Sequence, residues 1–192
     1  MRQLIVSQFV TLDGVMEDPG GSEGLERGGW AFQFDRGPEG HKFKLDEVLG
    51  SDALLLGRVT YEGFAEAWPS RTGEFADKFN GMPKFVVSAT LEEAEWNNST
   101  VITGDVAEEV SRLKEQPGGD ILVNGSRQLV HALMEHDLVD EYRLMVFPVV
   151  LGGGKRLFGH GGKTTALRLV DAQPVGPEGV VILTYRPAGQ ES

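Results

Sequence analysis

The chain has 192 residues, 40% of them hydrophobic and 24% charged, and these values suit one globular domain over residues 1–192. Its 29 acidic residues outnumber 18 basic ones, and the resulting net charge of −11 argues against nucleic-acid and anionic-membrane partners. The absence of cysteine excludes disulfides and thiolate metal sites. No apolar run reaches the ~20 residues of a membrane span, and no signal-peptide pattern occurs, so we expect a cytoplasmic protein.

Short apolar runs alternate with helical patterns along most of the chain. The predicted elements are strand 3–11, helix 40–49, strand 53–56, helix 59–68, strands 84–88 and 100–103, helix 105–116, strand 120–123, helix 126–136, and strands 141–150, 166–175 and 180–186. Asp105 and Ser126 are predicted to cap the helices that follow them. The alternation indicates an α/β fold with a mostly parallel central sheet and flanking helices. The last three strands have no helix between them, which predicts an antiparallel C-terminal edge.

A long glycine-rich stretch, residues 17–30, follows the first strand. Such a stretch inside a compact domain is a lid, a binding loop or a disordered segment. It lies near the carboxyl ends of the strands, where open α/β sheets bind their ligands.

Five strand ends carry small or hydroxyl residues. These ends are Thr11-Leu12-Asp13-Gly14, Gly57-Arg58, Ser88-Ala89-Thr90, Thr103-Gly104-Asp105 and Asn124-Gly125-Ser126. Each alone is an ordinary turn or helix cap. Together they favour a nucleotide site, because small residues let a ligand approach the backbone, and helix N-termini attract phosphate. Arg58 adds a permanent cation whose planar fork suits phosphate.

The sequence lacks the familiar dinucleotide and metal-binding motifs, and one glycine-rich run has two possible interpretations. No Gly-x-Gly-x-x-Gly follows a strand, which disfavours a standard Rossmann domain. The run Gly152-Gly153-Gly154-Lys155-Arg156 predicts either a backbone nest for phosphate or a flexible turn. The four histidines, His41, His131, His136 and His160, lack metal-ligand spacing, so we expect no metal site.

Three segments together resemble a known family. They are Thr11-Leu12-Asp13-Gly14, residues 51–61, and the run from Leu138-Val139-Asp140-Glu141 through Pro148-Val149-Val150-Leu151-Gly152-Gly153-Gly154 to Leu157-Phe158. The chain resembles the dihydrofolate reductase fold over residues 4–186. It is more closely similar to the family that includes the reductase domain of the bifunctional riboflavin-biosynthesis enzyme.

The resemblance implies NADPH as the hydride donor. Gly57, Arg58 and Thr60 would then lie beside the pyrophosphate and the 2′-phosphate, and Ser88, Ala89 and Thr90 at the adenosine ribose. Gly104 would approach the adenine. The pyrophosphate would be wrapped by Asn124, Gly125, Ser126, Arg127 and Gln128, and the nicotinamide covered by Gly14, Val15 and Met16.

Asp13 is the candidate catalytic residue. It could bind a substrate hydroxyl or relay a proton, and the alternative is a turn aspartate that caps its own backbone. Trp30 and Phe34 either wall a planar substrate or belong to a small core cluster. Glu39, four residues before Phe43, stands where folate enzymes carry a substrate-binding acid.

We therefore expect an NADPH-dependent reductase of a small heterocyclic or sugar-linked substrate, similar to 5-amino-6-(5-phosphoribosylamino)uracil reductase. The alternatives are a catalytically inactive nucleotide or metabolite sensor on the same fold, dihydrofolate reductase activity, and a hydrolase with a pair of acids. The apolar edge formed by strand 141–150 and the C-terminal hairpin predicts a homodimer.

Overall fold

The computed structural model describes residues 1–159 and 162–189. Eight strands and five α-helices occur within these ranges, together with a short 3-10 helix at Trp30–Gln33. In chain order the elements are β1 (Leu4–Thr11), α1 (Gly37–Leu49), β2 (Ser51–Gly57), α2 (Arg58–Ala67), α3 (Glu74–Gly81), β3 (Lys84–Val87), β4 (Ser99–Ile102), α4 (Val106–Glu115), β5 (Asp120–Val123), α5 (Arg127–Glu135), β6 (Glu141–Phe147), β7 (Leu167–Val175) and β8 (Val180–Pro187).

The chain forms two compact units. The first unit comprises Met1–Val6 and Lys44–Val139, and the second comprises Ser7–Phe43 and the described residues from Asp140 onward. Strand β1 passes from one unit into the other.

In the first unit the strands pair in the order β4-β3-β2-β5-β1, and every one of these pairs is parallel. Leu122 of β5 lies opposite Ile5 on one side and Leu54 on the other. These three side chains are fully buried in one apolar cluster to which α1, α2 and α3 contribute. Parallel strands buried in this way read as continuous apolar runs, which is why the sequence predicted them well.

In the second unit the order continues β1-β6-β8-β7, and both pairs made by β8 are antiparallel. Its core gathers around Phe147, whose ring makes edge contacts with Phe9 at 5.3 Å and Trp30 at 5.5 Å between centroids. The predicted mostly parallel α/β sheet with an antiparallel C-terminal edge is confirmed.

The largest differences between the structure and the sequence prediction concern three elements. Helix α3 was not predicted, because its eight residues offer a short apolar pattern and it depends on burying Ala76 and Phe79. Strand β6 ends at Phe147, since Pro148 has no N–H for the ladder, whereas the prediction ran to residue 150. Helix α1 begins at Gly37, three residues before its predicted start. Among the described residues, every helix is too short or too polar to cross a membrane.

Candidate functional site

The N-terminal ends of helices α2 and α5, both in the first unit, lie in contact with each other. Strand β2 ends at Gly57, β5 is followed by Asn124, Gly125 and Ser126, and the N–H of Gly57 donates to the carbonyl of Gly125 at 3.2 Å. A Cβ on Gly57 would lie 2.8 Å from the Cβ of Ser126 and 3.1 Å from its nitrogen. A Cβ on Gly125, whose φ is +110°, would lie 2.8 Å from Oγ1 of Thr60. Only glycine fits at both positions, so two of the predicted turns meet.

Neither of these helix starts has a side-chain cap. Ser126 is the N-cap residue of α5, as predicted, but its hydroxyl does not make the expected capping hydrogen bond, and no side chain caps α2 either. Neither helix has an acidic residue in its first turn; α2 begins with Arg58 and α5 with Arg127. Helix α4 shows the usual arrangement, with Asp105 accepting from the N–H of Glu108 at 3.0 Å, as predicted. The starts of α2 and α5 thus combine free N–H groups, two positive dipole ends and two arginines, which is the chemistry of an anion site.

Two polar atoms at this place lack partners. Oδ1 of Asn124 and Nε of Arg127 are buried and make no hydrogen bond within the described structure. A buried polar atom without a partner costs free energy on the order of 1–3 kcal/mol. Their position at the start of α5 therefore suits a polar ligand that would complete their hydrogen bonds.

A cavity of about 330 Å³ opens beside these helix starts. Seven of the predicted cofactor-binding residues line it: Gly57, Arg58, Ser88, Ala89, Thr90, Ser126 and Gln128. Oγ of Ser88 accepts the N–H groups of Thr90 at 3.2 Å and Leu91 at 2.9 Å. Since Oγ already accepts two hydrogen bonds, the hydroxyl of Ser88 can donate its own hydrogen to a ligand.

Apolar side chains complete the lining, and the sequence did not identify them. They are Val59, Val87, Val106, Leu129 and Ala132. Each belongs to a helix or strand, where an apolar residue is expected to belong to the hydrophobic core and not to the wall of a ligand site. Their position next to the predicted turns was the one feature of the sequence that could have identified them.

The other predicted residues of the first unit lie outside the lining. Thr60, Asn124, Gly125 and Arg127 belong to the meeting of the two helix starts described above. Gly104 is exposed and lies beside Glu109, whose Cγ would be 3.3 Å from a Cβ at that position. The role predicted for Gly104 at the adenine stays a prediction.

In the second unit, the carboxylate of Asp13 accepts three hydrogen bonds and lies beside an arginine. Oδ1 accepts the hydroxyl of Thr11 at 2.6 Å and the N–H of Leu151 at 3.2 Å, while Oδ2 accepts the N–H of Gly152 at 2.9 Å and lies 3.6 Å from Nη2 of Arg156. The hydrogen bond from Thr11, followed by the backbone ones, lowers the pKa of Asp13 to about 2. Asp13 is thus ionised near neutral pH and is a weak source of protons there.

The glycine loop that follows β6 binds carboxylates of the protein itself. Besides the Asp13 contacts, the N–H of Lys155 donates to Glu17 at 2.9 Å, and Nζ of Lys155 lies 3.1 Å from the same carboxylate. These bonds lower the pKa of Glu17. Backbone N–H groups of residues 152–156 therefore do bind anionic groups, here carboxylates of the protein. The nest for phosphate and the flexible turn both stay predictions.

Residues 14–16 run along this same loop. Val15 is fully buried and forms a bridge with Arg156, the N–H of Met16 donates to Lys155 O at 2.9 Å, and Gly14 O accepts from Leu157 at 2.9 Å. Their predicted contact with the nicotinamide stays a prediction.

The long loop at 17–30 is folded around Asp18. This side chain is 1% exposed and accepts the N–H groups of Glu23 at 2.9 Å and Leu25 at 3.1 Å. Nη1 of Arg27 donates to Leu151 O at 2.9 Å. The loop therefore has a defined structure built on one buried carboxylate.

The predicted substrate residues take different places in the second unit. Trp30 is 1% exposed, and its indole N–H donates to Glu17 O at 2.9 Å, so its surroundings are those of a core residue. Phe34 is half-buried beside Phe147, with ring centroids 6.3 Å apart. Glu39 is exposed in the first turn of α1, where a carboxylate stabilises the helix. Their binding roles stay predictions.

The part of the chain described here contains no group of three or more histidine or acidic side chains placed to hold a metal ion. His160, one of the four histidines considered above, lies outside the described residues.

The sheet order and the helices that flank it give the chain an α/β fold of the dihydrofolate reductase type. The family model described as RibD C-terminal domain matches residues 2–181, and the chain belongs to this reductase-like family. It is 30% identical over 190 residues to the uncharacterized protein YyaP of Bacillus subtilis (strain 168), covering 96% of this chain and 94% of YyaP.

Two solved structures share the fold. A protein from Shewanella sp. PV-4 named for riboflavin biosynthesis is 22% identical, with a TM-score of 0.72, over 96% of this chain and 98% of that one. The dihydrofolate reductase of Enterococcus faecalis, complexed with NADP(H) and RAB-propyl, is 16% identical, with a TM-score of 0.62, over 97% of this chain and 96% of that one.

Proposed function

We propose that this protein is an NADPH-dependent reductase that acts on a C=N or C=O group of a small heterocyclic or sugar-linked substrate. The observation that carries the proposal is the meeting of two uncapped helix starts, each with an arginine, at the rim of the 330 Å³ cavity. The family and the NADP(H) complex of the Enterococcus enzyme support the choice of cofactor.

The residues present fit a dinucleotide. The unpartnered polar atoms of Asn124 and Arg127 and the N–H groups of Ser126 and Gln128 would hold the pyrophosphate. The glycines at 57 and 125 leave the two helix starts close enough to act on one group.

The adenosine end of the cofactor would be held by a second set of residues. Arg58 and the hydroxyl groups of Ser88 and Thr90 would take the 2′-phosphate, and the apolar lining that includes Val87 and Leu129 would take the adenine. NADPH, when bound, supplies the hydride. In the second unit, ionised Asp13 orders the loop at 151–156 and can accept a hydrogen bond from a substrate hydroxyl.

An intermediate of riboflavin synthesis, 5-amino-6-(5-phosphoribosylamino)uracil, is the first substrate to test. The family and the name of the Shewanella neighbour support this choice. Dihydrofolate is the second, on the strength of the shared fold.

A nucleotide sensor without turnover is the second candidate. It is favoured by the surroundings of Asp13, whose carboxylate is already engaged by Thr11, two backbone N–H groups and Arg156. Binding of NADPH together with no oxidation of it by any heterocyclic substrate would support the sensor.

We also propose a homodimer that uses β7. This edge strand has seven exposed residues in succession, with Leu169 at 50% and Val170 at 45% exposure between Arg168 and Asp171. A surface of apolar residues flanked by opposite charges is suited to contact its own copy about a two-fold axis.

The proposed function is tested by titrating the purified protein with NADPH and, separately, with NADH while tryptophan fluorescence is recorded. We expect micromolar binding of NADPH that is clearly tighter than that of NADH, followed by oxidation of NADPH with one of the two named substrates. Failure of both nucleotides to bind would overturn the proposal.

A further inference from the structure

Arg58 is already engaged by a carboxylate on its own helix. Its Nη1 donates to both oxygens of Glu62 at 3.0 Å, and the two side chains are 44% and 48% exposed. An exposed i,i+4 ion pair of this kind contributes only about 0.3–0.5 kcal/mol to the stability of the helix. The arginine also precedes the glutamate and so lies at the positive end of the helix dipole, which is the less favourable of the two arrangements. Helix stability therefore explains neither the place of Arg58 nor its partner.

The two side chains line different cavities. Arg58 lines the 330 Å³ cavity with Ser88 and Thr90. Glu62 lines a separate cavity of about 810 Å³ in the same unit, together with three further carboxylates, those of Asp77, Glu93 and Glu95. Through its pair with Glu62, Arg58 thus connects the lining of the proposed phosphate site to a cavity lined by four carboxylates and by Arg71.

We propose that Glu62 sets the cofactor preference by opposing the 2′-phosphate at Arg58. This inference rests on the proposed function and names a residue that the family resemblance did not assign. A phosphate that uses Nη1 must displace the carboxylate, and one that uses the remaining N–H groups stays a few ångströms from a like charge. NADH has no 2′-phosphate, so its binding is almost indifferent to Glu62.

The test is Glu62→Gln, which keeps the size of the side chain and removes its charge. We expect the Kd for NADPH to fall roughly three- to tenfold, while that for NADH changes by less than about twofold. The gain should shrink as salt is raised, because both groups are partly exposed. Glu66→Gln is the matched control: it makes the same charge change one turn further along α2, at an exposed residue that lines neither cavity.

Adenosine 2′,5′-bisphosphate and adenosine 5′-monophosphate, used as probes, separate this inference from the reductase proposal. A gain for the bisphosphate alone in Glu62→Gln supports the role of Glu62 even if no substrate is ever reduced. Weaker NADPH binding in Glu62→Gln would overturn it and would mean that Glu62 positions Arg58. An unchanged preference, or a gain equal to that of Glu66→Gln, would also overturn it.

Discussion

A Cβ atom placed on Gly57 would lie 2.8 Å from the Cβ of Ser126, so the starts of α2 and α5 leave no room for a side chain at residue 57. Because of this approach, the positive dipole ends of two helices, each beginning with an arginine, lie next to each other. The contact joins residues that are 69 positions apart in the sequence. The proposed cofactor site depends on it.

Gly57→Ala should lower the free energy of unfolding by about 1–3 kcal/mol, since the new methyl group must push Ser126 away. Urea denaturation measures this. Gly63→Ala, in the middle of α2 with open space around it, is the control and should raise stability by about 0.5–1 kcal/mol. Equal effects from both substitutions would show that the close approach does not constrain the fold.

Arg58→Ala should weaken NADPH binding far more than NADH binding. The loss of a charged hydrogen bond to the 2′-phosphate corresponds to about 1.5–3 kcal/mol, roughly ten- to a hundredfold in Kd. Fluorescence titration of both nucleotides measures it, and Arg112→Ala, an exposed arginine paired with Glu109 on α4, is the control. Unchanged affinities in Arg58→Ala would contradict the assignment of the phosphate site.

Asp13→Asn should destabilise the protein by about 1–2 kcal/mol at neutral pH, a value reduced by the partial exposure of the carboxylate. The pKa of Asp13 falls from 3.8 to about 2 on folding, so its contribution is present above pH ~4 and is lost as the pH drops toward 2. The stability difference between parent and variant should therefore shrink over that range. A constant difference from pH 7 to pH 2 would show that the charge is not what holds the loop.

Lys84→Met should lower the free energy of unfolding by about 2–4 kcal/mol. Lys84 is fully buried, and its Nζ donates to the carbonyls of Asn80, Met82 and Asn97 at 2.7–2.9 Å. Lys78→Met, at a lysine on α3 that is 3.8 Å from Asp52, should cost less than about 0.5 kcal/mol. A similar loss from both variants would contradict this role for Lys84.

Burial lowers the pKa of Lys84 from 10.5 to about 8. The unfolded chain therefore binds more protons between these values, and the stability term from Lys84 rises with pH across that window. Chemical denaturation at pH 8 and pH 10 should show this rise in the parent and not in Lys84→Met. The same pH dependence in both proteins would place its origin elsewhere.

The double variant Leu169→Glu, Val170→Glu should be monomeric at a concentration where the parent sediments as a dimer, because four like charges would meet across the two-fold axis. Sedimentation velocity at micromolar concentration measures this. Leu12→Glu, at another exposed leucine, is the control and should leave the parent's state unchanged. A monomeric parent would remove the dimer proposal.

Much of the fold could be predicted from local pattern. The runs around Leu54 and Leu122 are continuous and apolar because their strands are buried on both faces, and Asp105 is a recognisable N-cap of α4. Helix α3 was not predicted, because its apolar pattern is short and its helical state depends on packing by Phe79. Ser126 stands at the N-cap position that the sequence predicted, yet its hydroxyl makes no capping hydrogen bond.

Some residues of the candidate site could be predicted from the sequence and others could not. The turns at Gly57, Ser88 and Ser126 could be found because small and hydroxyl residues at strand ends have a local signature. The apolar wall that includes Val106 and Leu129 could not, since an apolar residue reads as core until its neighbours are known.

The sequence by itself determined most of the elements, their alternation and the small residues at the strand ends, because these follow from hydrophobic periodicity and backbone preferences that act within a few residues. Only the tertiary structure decided that Gly57 meets Ser126 and that the N–H groups of Leu151 and Gly152 donate to Asp13, with Arg156 beside them. Distances and pKa values depend on which groups the fold brings within a few ångströms, and most of those groups are far apart along the chain.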